Sequence, residues 1–373
     1  MTSYVVVGAG LAGAATAWEL ARRGREVTLV ERTTPANEHG SSHGSARIFR
    51  YGYAETFWTA LVARSREAWT ELESLAGQTL VTPTGSLDHG SLREPEHLAA
   101  VMAEVGVEHE LMGAAAAAER WPGLAFDSTV LWHPGAGVID AEGAVLAMAR
   151  LAAEAGATVL TGWPVATVER DGAGFRVVSA DGADLRADHV VVSAGGWLPD
   201  LLPTLPEALR RRVPPLQVRQ EQAFHFPYRE TPTGTWPTFI HKQPDLQVYG
   251  LPGGRDAEFR GQKVAEYNGG RVVPSAAHAD GVVDPANRER VVAYVDRHLP
   301  GLVPEPYAET TCLFTNTPDE DFVIDGADGI TVVSPCSGHG AKFAPVIGRI
   351  AADAATGAGD VPDRFRLVAE VDA

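Results

Sequence analysis

Apolar positions open the chain in a nearly continuous run. Residues 4–7 read Tyr-Val-Val-Val, the pattern of a strand buried on both faces of a parallel sheet. The run passes into Gly8-Ala9-Gly10-Leu11-Ala12-Gly13 and then into good helix formers at 14–23, stopped by Gly24. A second apolar run, 26–30, closes on Glu31. Further along, Trp58, Leu61, Val62, Trp69 and Leu72 recur at helical spacing and predict an amphipathic helix over 55–75. From about 80 to 138 the pattern breaks into short segments punctuated by Gly and Pro, with an alanine-rich helix at 114–120, which predicts insertion of a second domain. A helix over 142–155 and a strand over 158–160 follow. Alternation around two Asp-Gly turns then predicts a small meander over 165–170, 175–180 and 185. Another buried strand, near 187–193, runs into Ala194-Gly195-Gly196-Trp197. Residues 210–270 read as strands, notably 220–226, 239–242 and 247–251, and 285–299 as a covering helix. A strand over 330–334 leads through a glycine-rich loop at 336–343 into a final helix reaching 350.

Composition changes this picture little. A chain of 373 residues, 45% hydrophobic and 21% charged, has material for about two domains with sizeable cores. A formal charge of −17 argues against nucleic acid as partner, because phosphate binding needs a basic face. No apolar stretch is long enough to span a bilayer, and Met1-Thr2-Ser3 runs straight into a strand with no signal-peptide pattern, so a cytoplasmic protein without a membrane partner is expected. Cys312 and Cys336 are too few for a disulfide framework and lack metal-ligand spacing; no metal site is expected.

The candidate chemistry starts at the glycines. Gly8 suits a tight turn, Gly10 lets backbone N–H groups approach a pyrophosphate at the positive end of a helix, and Gly13 permits close helix–strand packing. Glu31 can accept from ribose hydroxyls and disfavours NADP, whose phosphate would want an arginine. A buried strand ending at 194–197 in small residues suggests a second place where a flavin dinucleotide is held. Arg47 and Arg50, three apart among aromatics, can hold an anionic group or simply be solvated. Lys263, four before Tyr267, is unremarkable on spacing alone.

Taken together, these motifs resemble the D-amino acid oxidase superfamily of flavoproteins, and within it the monomeric sarcosine oxidase and N-methyltryptophan oxidase branch. The likeness covers nearly the whole chain. It is carried by the Gly8-x-Gly10-x-x-Gly13 turn with Glu31, by Ser42-His43-Gly44-x-x-Arg47-x-x-Arg50, and by Ala194-Gly195-Gly196-Trp197. The two most specific carriers are Cys312-x-x-Thr315-x-Thr317-x-Asp319-Glu320 and Ser337-Gly338-His339-Gly340-x-Lys342-Phe343.

The resemblance implies an α/β (α+β) fold of the glutathione-reductase-2/DAO type: a Rossmann-like FAD-binding domain (1–80, 140–212 and 310–373) with an inserted antiparallel-sheet substrate domain (81–139 and 213–309). It implies FAD attached through its 8α-methyl to the sulfur of Cys312. Leu11, Ala12, Arg32, Ser42, Val165, Ser337, Gly338, His339, Gly340 and Lys342 join the glycine motifs as cofactor-binding positions. Arg50 and Lys342 would clamp a substrate carboxylate, His43 and Arg47 would sit beside the flavin ring, and Lys263 would help oxygen accept electrons. Tyr249, Tyr267 and Phe314 fall on the substrate side. Where the sarcosine enzymes carry a histidine four after the lysine and a tyrosine two after the flavin cysteine, this chain has Tyr267 and Phe314, so sarcosine is not the expected substrate.

The activity expected is oxidation of a secondary amine or imino acid to an imine by hydride transfer to flavin, with O2 reduced to H2O2 by a monomer. A related dehydrogenase acting on a biosynthetic intermediate with another electron acceptor is the alternative. A flavin hydroxylase would want a second GxGxxG, which the chain lacks, and a dinucleotide sensor would not need the flavin-side motifs.

Overall fold

The computed structural model describes residues 2–232 and 234–367. The apolar run at the N-terminus is the centre of a six-stranded sheet. Its strands, in spatial order, are Val323–Ala327, Ile330–Ser334, His189–Val192, Ser3–Val7, Glu26–Val30 and Thr158–Leu160. All pairings are parallel except the first. Alternate side chains of the central strand go to opposite layers, as the two-residue period of a strand requires. Tyr4 and Val6 face the helices Leu11–Arg22, Thr56–Ala76, Ala141–Glu154 and Ala344–Thr356, which bring Trp18, Trp69, Met148 and Ile347 into the same cluster. Val5 and Val7 face the meander Val165–Asp171, Gly174–Ser179 and Asp184–Ala187 through Val168, Phe175 and Val177.

A nine-stranded sheet forms the other half. Gln217–Phe226 sits between Arg271–Val273 and Gln262–Glu266, and the sheet continues through Gln247–Pro252, Thr238–Lys242, Ser86–His89, Val130–His133 and Glu110–Met112. Ala308–Asn316 lies antiparallel along Gln217–Phe226. One face, through Leu87, Phe224, Phe239, Val248 and Val264, packs on Val291 and Val295 of the helix Pro285–His298. Strands from residues 86–133, past the point near residue 80 where the pattern broke, join this second sheet.

Several expectations need amendment. The boundary drawn at 310 falls inside the strand Ala308–Asn316, whose pairing is with the second sheet, because its polar sequence offers no apolar run to mark it. The segment 80–138 contains an unanticipated helix, Pro95–Val105, opened by a proline and closed by left-handed Gly106. The buried strand before Gly195 ends at Val192, and Gly195–Trp197 forms a single 3-10 turn. The final helix starts at Ala344, after a 3-10 turn at Gly340–Phe343.

Candidate active site

The first turn of the chain explains its glycines by contact. Gly8 has φ +96°, and a Cβ there would lie 2.4 Å from the Ser193 carbonyl oxygen; a Cβ on Gly13 would lie 1.8 Å from the Gly8 carbonyl oxygen. Neither position admits a side chain. Ser42 Oγ accepts from the Leu11 N–H at 3.0 Å, so the loop before Arg47 is tied to the helix N-terminus. Glu31 is buried, and its carboxylate accepts from the Ala9 N–H (2.8 Å), the Thr33 N–H (3.2 Å) and the Asn37 amide (3.3 Å). Its first duty is thus to brace the glycine turn, a role the spacing alone did not reveal. Arg32 stacks over the Trp197 ring at 4.6 Å.

A cavity of 490 Å³ runs along these elements. Gly8, Gly10, Leu11 and Ala12 line it from the turn and helix start after the first strand, Glu31 and Arg32 from the end of the second, and Ser42 and Arg47 from the segment that follows. Val165, Ala194, Gly195 and Trp197 line a second side; Phe314, Cys336, Gly338 and Gly340 line a third. A side-chain-free turn at a helix N-terminus, an acid closing the second strand and a second glycine turn opposite make a donor set that fits a dinucleotide such as FAD. Gly13, His43, Cys312, Ser337, His339 and Lys342, also expected at the cofactor, are not among the residues that line this cavity.

The remaining expected residues meet through strand register. Paired residues share a face of a sheet. Leu251 pairs Lys263, Lys263 pairs His225, Tyr249 pairs Ala265, and Glu221 pairs Cys312. The N–H of Tyr267 donates to the Gln247 carbonyl, which continues the Tyr249 side of that strand. Tyr249, Lys263, Tyr267, Cys312 and Phe314 therefore project from one face, opposite the face covered by Pro285–His298. Glu221 and His225 project with them, and Asp88 joins them through the pairing of Ile240 with both Asp88 and Tyr249.

Around Lys263 the groups are buried and mostly cationic. Burial, then the Arg47 charge, brings the Lys263 ammonium down to about 8. No hydrogen bond ties it to another described residue. Burial, then Arg47 and Lys263, holds the His43 imidazole down at about 4, so it is neutral at pH 7. Arg47 spends its guanidinium on the carbonyls of Ser41, His43 and Ala46, at 3.2, 2.7 and 2.9 Å, and so shapes the loop as well as the field. Burial raises the Cys312 thiol, while Arg47 and Lys263 pull it back. Asp256 accepts from Ser45 Oγ at 2.6 Å; although burial pushes its carboxyl up, that bond together with Lys263, His225 and Arg47 holds it below the usual range.

A second cationic pair meets at a residue that sequence reasoning missed, Tyr53. The Arg50 guanidinium lies 4.5 Å from its ring centre, and Lys342 Nζ donates to its hydroxyl at 3.1 Å and to the His339 carbonyl at 2.7 Å. Tyr53 donates to His339 Nδ1 (3.0 Å), and His339 Nε2 donates to the Glu320 carbonyl (3.0 Å). Burial, then Lys342, lowers His339 to about 3, which keeps the ring neutral and able to accept from the tyrosine. Lys342 is pushed well below the lysine range by burial, then by Arg50. Tyr267 donates to Glu320 Oε1 at 3.0 Å, and a Cβ on Gly338 would meet the Phe314 and Tyr267 rings at 2.7 and 3.0 Å. Behind Arg50, buried Asp88 accepts from Arg93 Nε at 2.6 Å and His133 Nε2 at 2.9 Å; Arg93 and Arg50 both donate to the Gly52 carbonyl.

Tyr53 had a signal, since it stands in the aromatic run beside Arg50. Glu320 stood within the cysteine motif without a role. Asp88, Arg93, His133 and Glu221 had none, because their neighbours are remote in sequence.

Comparison with known proteins places the chain. The family model described as FAD dependent oxidoreductase (DAO) matches residues 3–354. The N-methyl-L-tryptophan oxidase of Citrobacter koseri is 31% identical over 363 residues, 95% of this chain and 94% of that protein. The enzyme of the same name from Escherichia coli is 32% identical over 363 residues, 94% of this chain and 93% of its own. Among solved structures, the open form of NikD, an unusual amino acid oxidase essential for nikkomycin biosynthesis, superposes with a TM-score of 0.86 at 27% identity, covering 100% of both chains. L-proline dehydrogenase from P. horikoshii gives 0.82 at 22% identity over 98% of this chain and 97% of that one, a likeness of fold.

Proposed function

The chain belongs to the DAO family of FAD dependent oxidoreductases, and from that premise we propose that it oxidises a carboxylate-bearing secondary amine, an N-methyl or cyclic amino acid, to its imine, with O2 reduced to H2O2. The observation that carries this reading is the meeting of Arg50 and Lys342 at Tyr53, beside a sheet face that presents Tyr249, Lys263, Tyr267, Cys312 and Phe314. The names of the relatives, an N-methyl amino acid oxidase and an unusual amino acid oxidase, point the same way. In this reading residues 2–80, 140–212 and 317–367 hold the cofactor, and the nine-stranded sheet, Ala308–Asn316 included, roofs the substrate.

FAD, when bound, supplies the hydride acceptor and the route for two electrons to oxygen. The protein's share is binding, orientation and charge. Arg50 offers a planar fork to the carboxylate, and Lys342 a point charge steadied by Tyr53. Lys342 is penalised by burial and by the Arg50 charge, so an arriving carboxylate relieves an existing strain of charge. The same surplus of positive charge disfavours an ammonium, which keeps the substrate nitrogen unprotonated and able to lose a hydride from the adjacent carbon. Tyr267 and Phe314 wall the substrate side with aromatic surface at a ring separation of 5.9 Å. Arg47 and Lys263 stabilise negative charge that reduction places near them, and Lys263, as a buried cation, favours electron transfer to oxygen. Cys312 is the point of covalent attachment; burial raises its thiol, and the two cations offset part of that rise. One chain carries every residue this requires, so a monomer suffices.

The test begins with denaturing electrophoresis of the yellow protein. Flavin fluorescence should stay with the polypeptide band and leave it in Cys312→Ser. On N-methyl and cyclic amino acids, Arg50→Ala should keep its flavin spectrum and lose about 100-fold in kcat/KM. Full turnover by Arg50→Ala would remove the clamp, and a colourless wild-type protein would remove the oxidase.

A further inference from the structure

Two buried histidines lie on the opposite face of the nine-stranded sheet, away from the cofactor cavity. His89 and His241 are paired directly in the parallel ladder between Ser86–His89 and Thr238–Lys242. That register stacks their rings at 4.1 Å, with 19° between the planes. They are 3% and 1% exposed. Apolar packing alone does not call for two facing imidazoles, and His89 Nδ1 is buried with no hydrogen-bond partner. Asp127, in the loop before Val130–His133, brings a carboxylate oxygen to 3.6 Å from His241 Nε2. One ring nitrogen of each histidine and one Asp127 oxygen all lie within 4.8 Å of one another.

We propose that His89, His241 and Asp127 form a structural site for a divalent borderline metal ion, of which zinc is the best match. Two imidazoles and a carboxylate are a common zinc donor set, and nitrogen donors favour zinc over magnesium or calcium. His241 Nδ1 meets the Tyr294 hydroxyl at 2.8 Å on the covering helix; as donor there, it leaves the Nε2 lone pair facing Asp127. Gln243 closes the ring of polar groups, with its amide nitrogen 2.9 Å from His241 Nε2 and bonded to Asp127 Oδ2. A half-turn of that amide presents its oxygen as a fourth donor. His241 Nε2 and Asp127 Oδ1 stand 3.6 Å apart and the two imidazole planes are nearly parallel, so binding the ion turns the His89 ring toward it and draws the Asp127 loop inward. His89 follows Asp88, which holds Arg93 and His133 behind Arg50, so the ion braces the strand that supports the clamp without touching substrate.

The experiment uses the full-length flavin-loaded protein, equilibrated with zinc sulfate, dialysed into metal-free buffer and analysed for zinc and flavin together. About one zinc per flavin is expected in the wild type. Asp127→Asn, whose site is half exposed and tolerant of change, should keep its flavin while its zinc affinity falls at least about tenfold. His241→Ala should hold no zinc above buffer. Zinc should also raise the unfolding midpoint of the wild type and leave that of Asp127→Asn unmoved. No zinc retained by the wild type, or equal retention by wild type and Asp127→Asn, overturns the site.

Discussion

Glu221 carries a consequence of burial that can be read in stability. It is 1% exposed, pairs across the ladder with Cys312, and accepts the Gly270 N–H at 3.1 Å, with Oε1 buried away from any side-chain donor. Burial raises its carboxyl to about 7. A folded-state value above the unfolded one means that the folded protein binds the proton more tightly. The contribution is complete below the unfolded carboxylate range and is lost as pH rises through 7, about 3 kcal/mol in all for a shift of that size. Thermal unfolding of the apoprotein should therefore show a midpoint that falls between pH 5.5 and 8, and Glu221→Gln should flatten that slope. Lys263 gives the kinetic counterpart. Its charge is lost above about 8, so the rate of reoxidation by O2 should decline from pH 7 to 9. Lys263→Met should be slower by about 100-fold and lose that pH dependence, in stopped-flow measurements on reduced enzyme.

Elements show how local pattern and packing divide the work. The strand–turn–helix at the N-terminus was readable because its chemistry is contiguous: apolar run, three glycines, helix formers and an acid lie within 28 residues. Gly13→Ala is the sharp test, since its Cβ would sit 1.8 Å from backbone that cannot move aside. Folded yield or flavin retention on gel filtration should collapse, whereas Gly24→Ala, a position with nothing within 4 Å but φ +73°, should cost only about 1 kcal/mol of stability. The strand Ala308–Asn316 was not readable as a strand. It reads Ala-Glu-Thr-Thr-Cys-Leu-Phe-Thr-Asn, with Leu313 its one fully apolar buried position, and it is a strand because Gln217–Phe226 offers nine partners in register. The segment 220–226 was read as a strand although, with Gln, Glu and His among its Phe and Ala, it shows no clean alternation, because one face packs on the covering helix and the other faces buried polar chemistry.

At the scale of the whole molecule, the segment 253–261 is a fastening between the halves. Arg255 pairs with Asp140 and with Glu142 (3.2 Å), while Asp256 holds Ser45 Oγ in the loop that ends at Arg47. Arg255 is half exposed, so its ion pairs are worth about 0–1 kcal/mol, whereas the partly buried Asp256 bond is worth about 1–3 kcal/mol. Asp256→Ala should release flavin more readily on dialysis of a Cys312→Ser background, and Arg255→Ala should scarcely differ from its parent. The charges of this segment stand in the sequence, but that they fasten one half to the other does not. Among the described residues no helix is long and apolar enough to cross a membrane, in keeping with the absence of such a run in the chain.

The sequence by itself determined the dinucleotide turn, most of the helices and the motifs of the family, because each is written in neighbouring residues and obeys a local period. Tertiary structure alone decided which motifs meet. Arg50 reaches Lys342 only through Tyr53, 289 residues away from the lysine in the chain, and Cys312 meets Glu221 and Lys263 only through register between strands. The buried charges follow the same rule. An Asp88 or a His43 reads as an ordinary polar residue until the fold removes water from it and sets an arginine alongside, and the chemistry it can do is fixed at that moment.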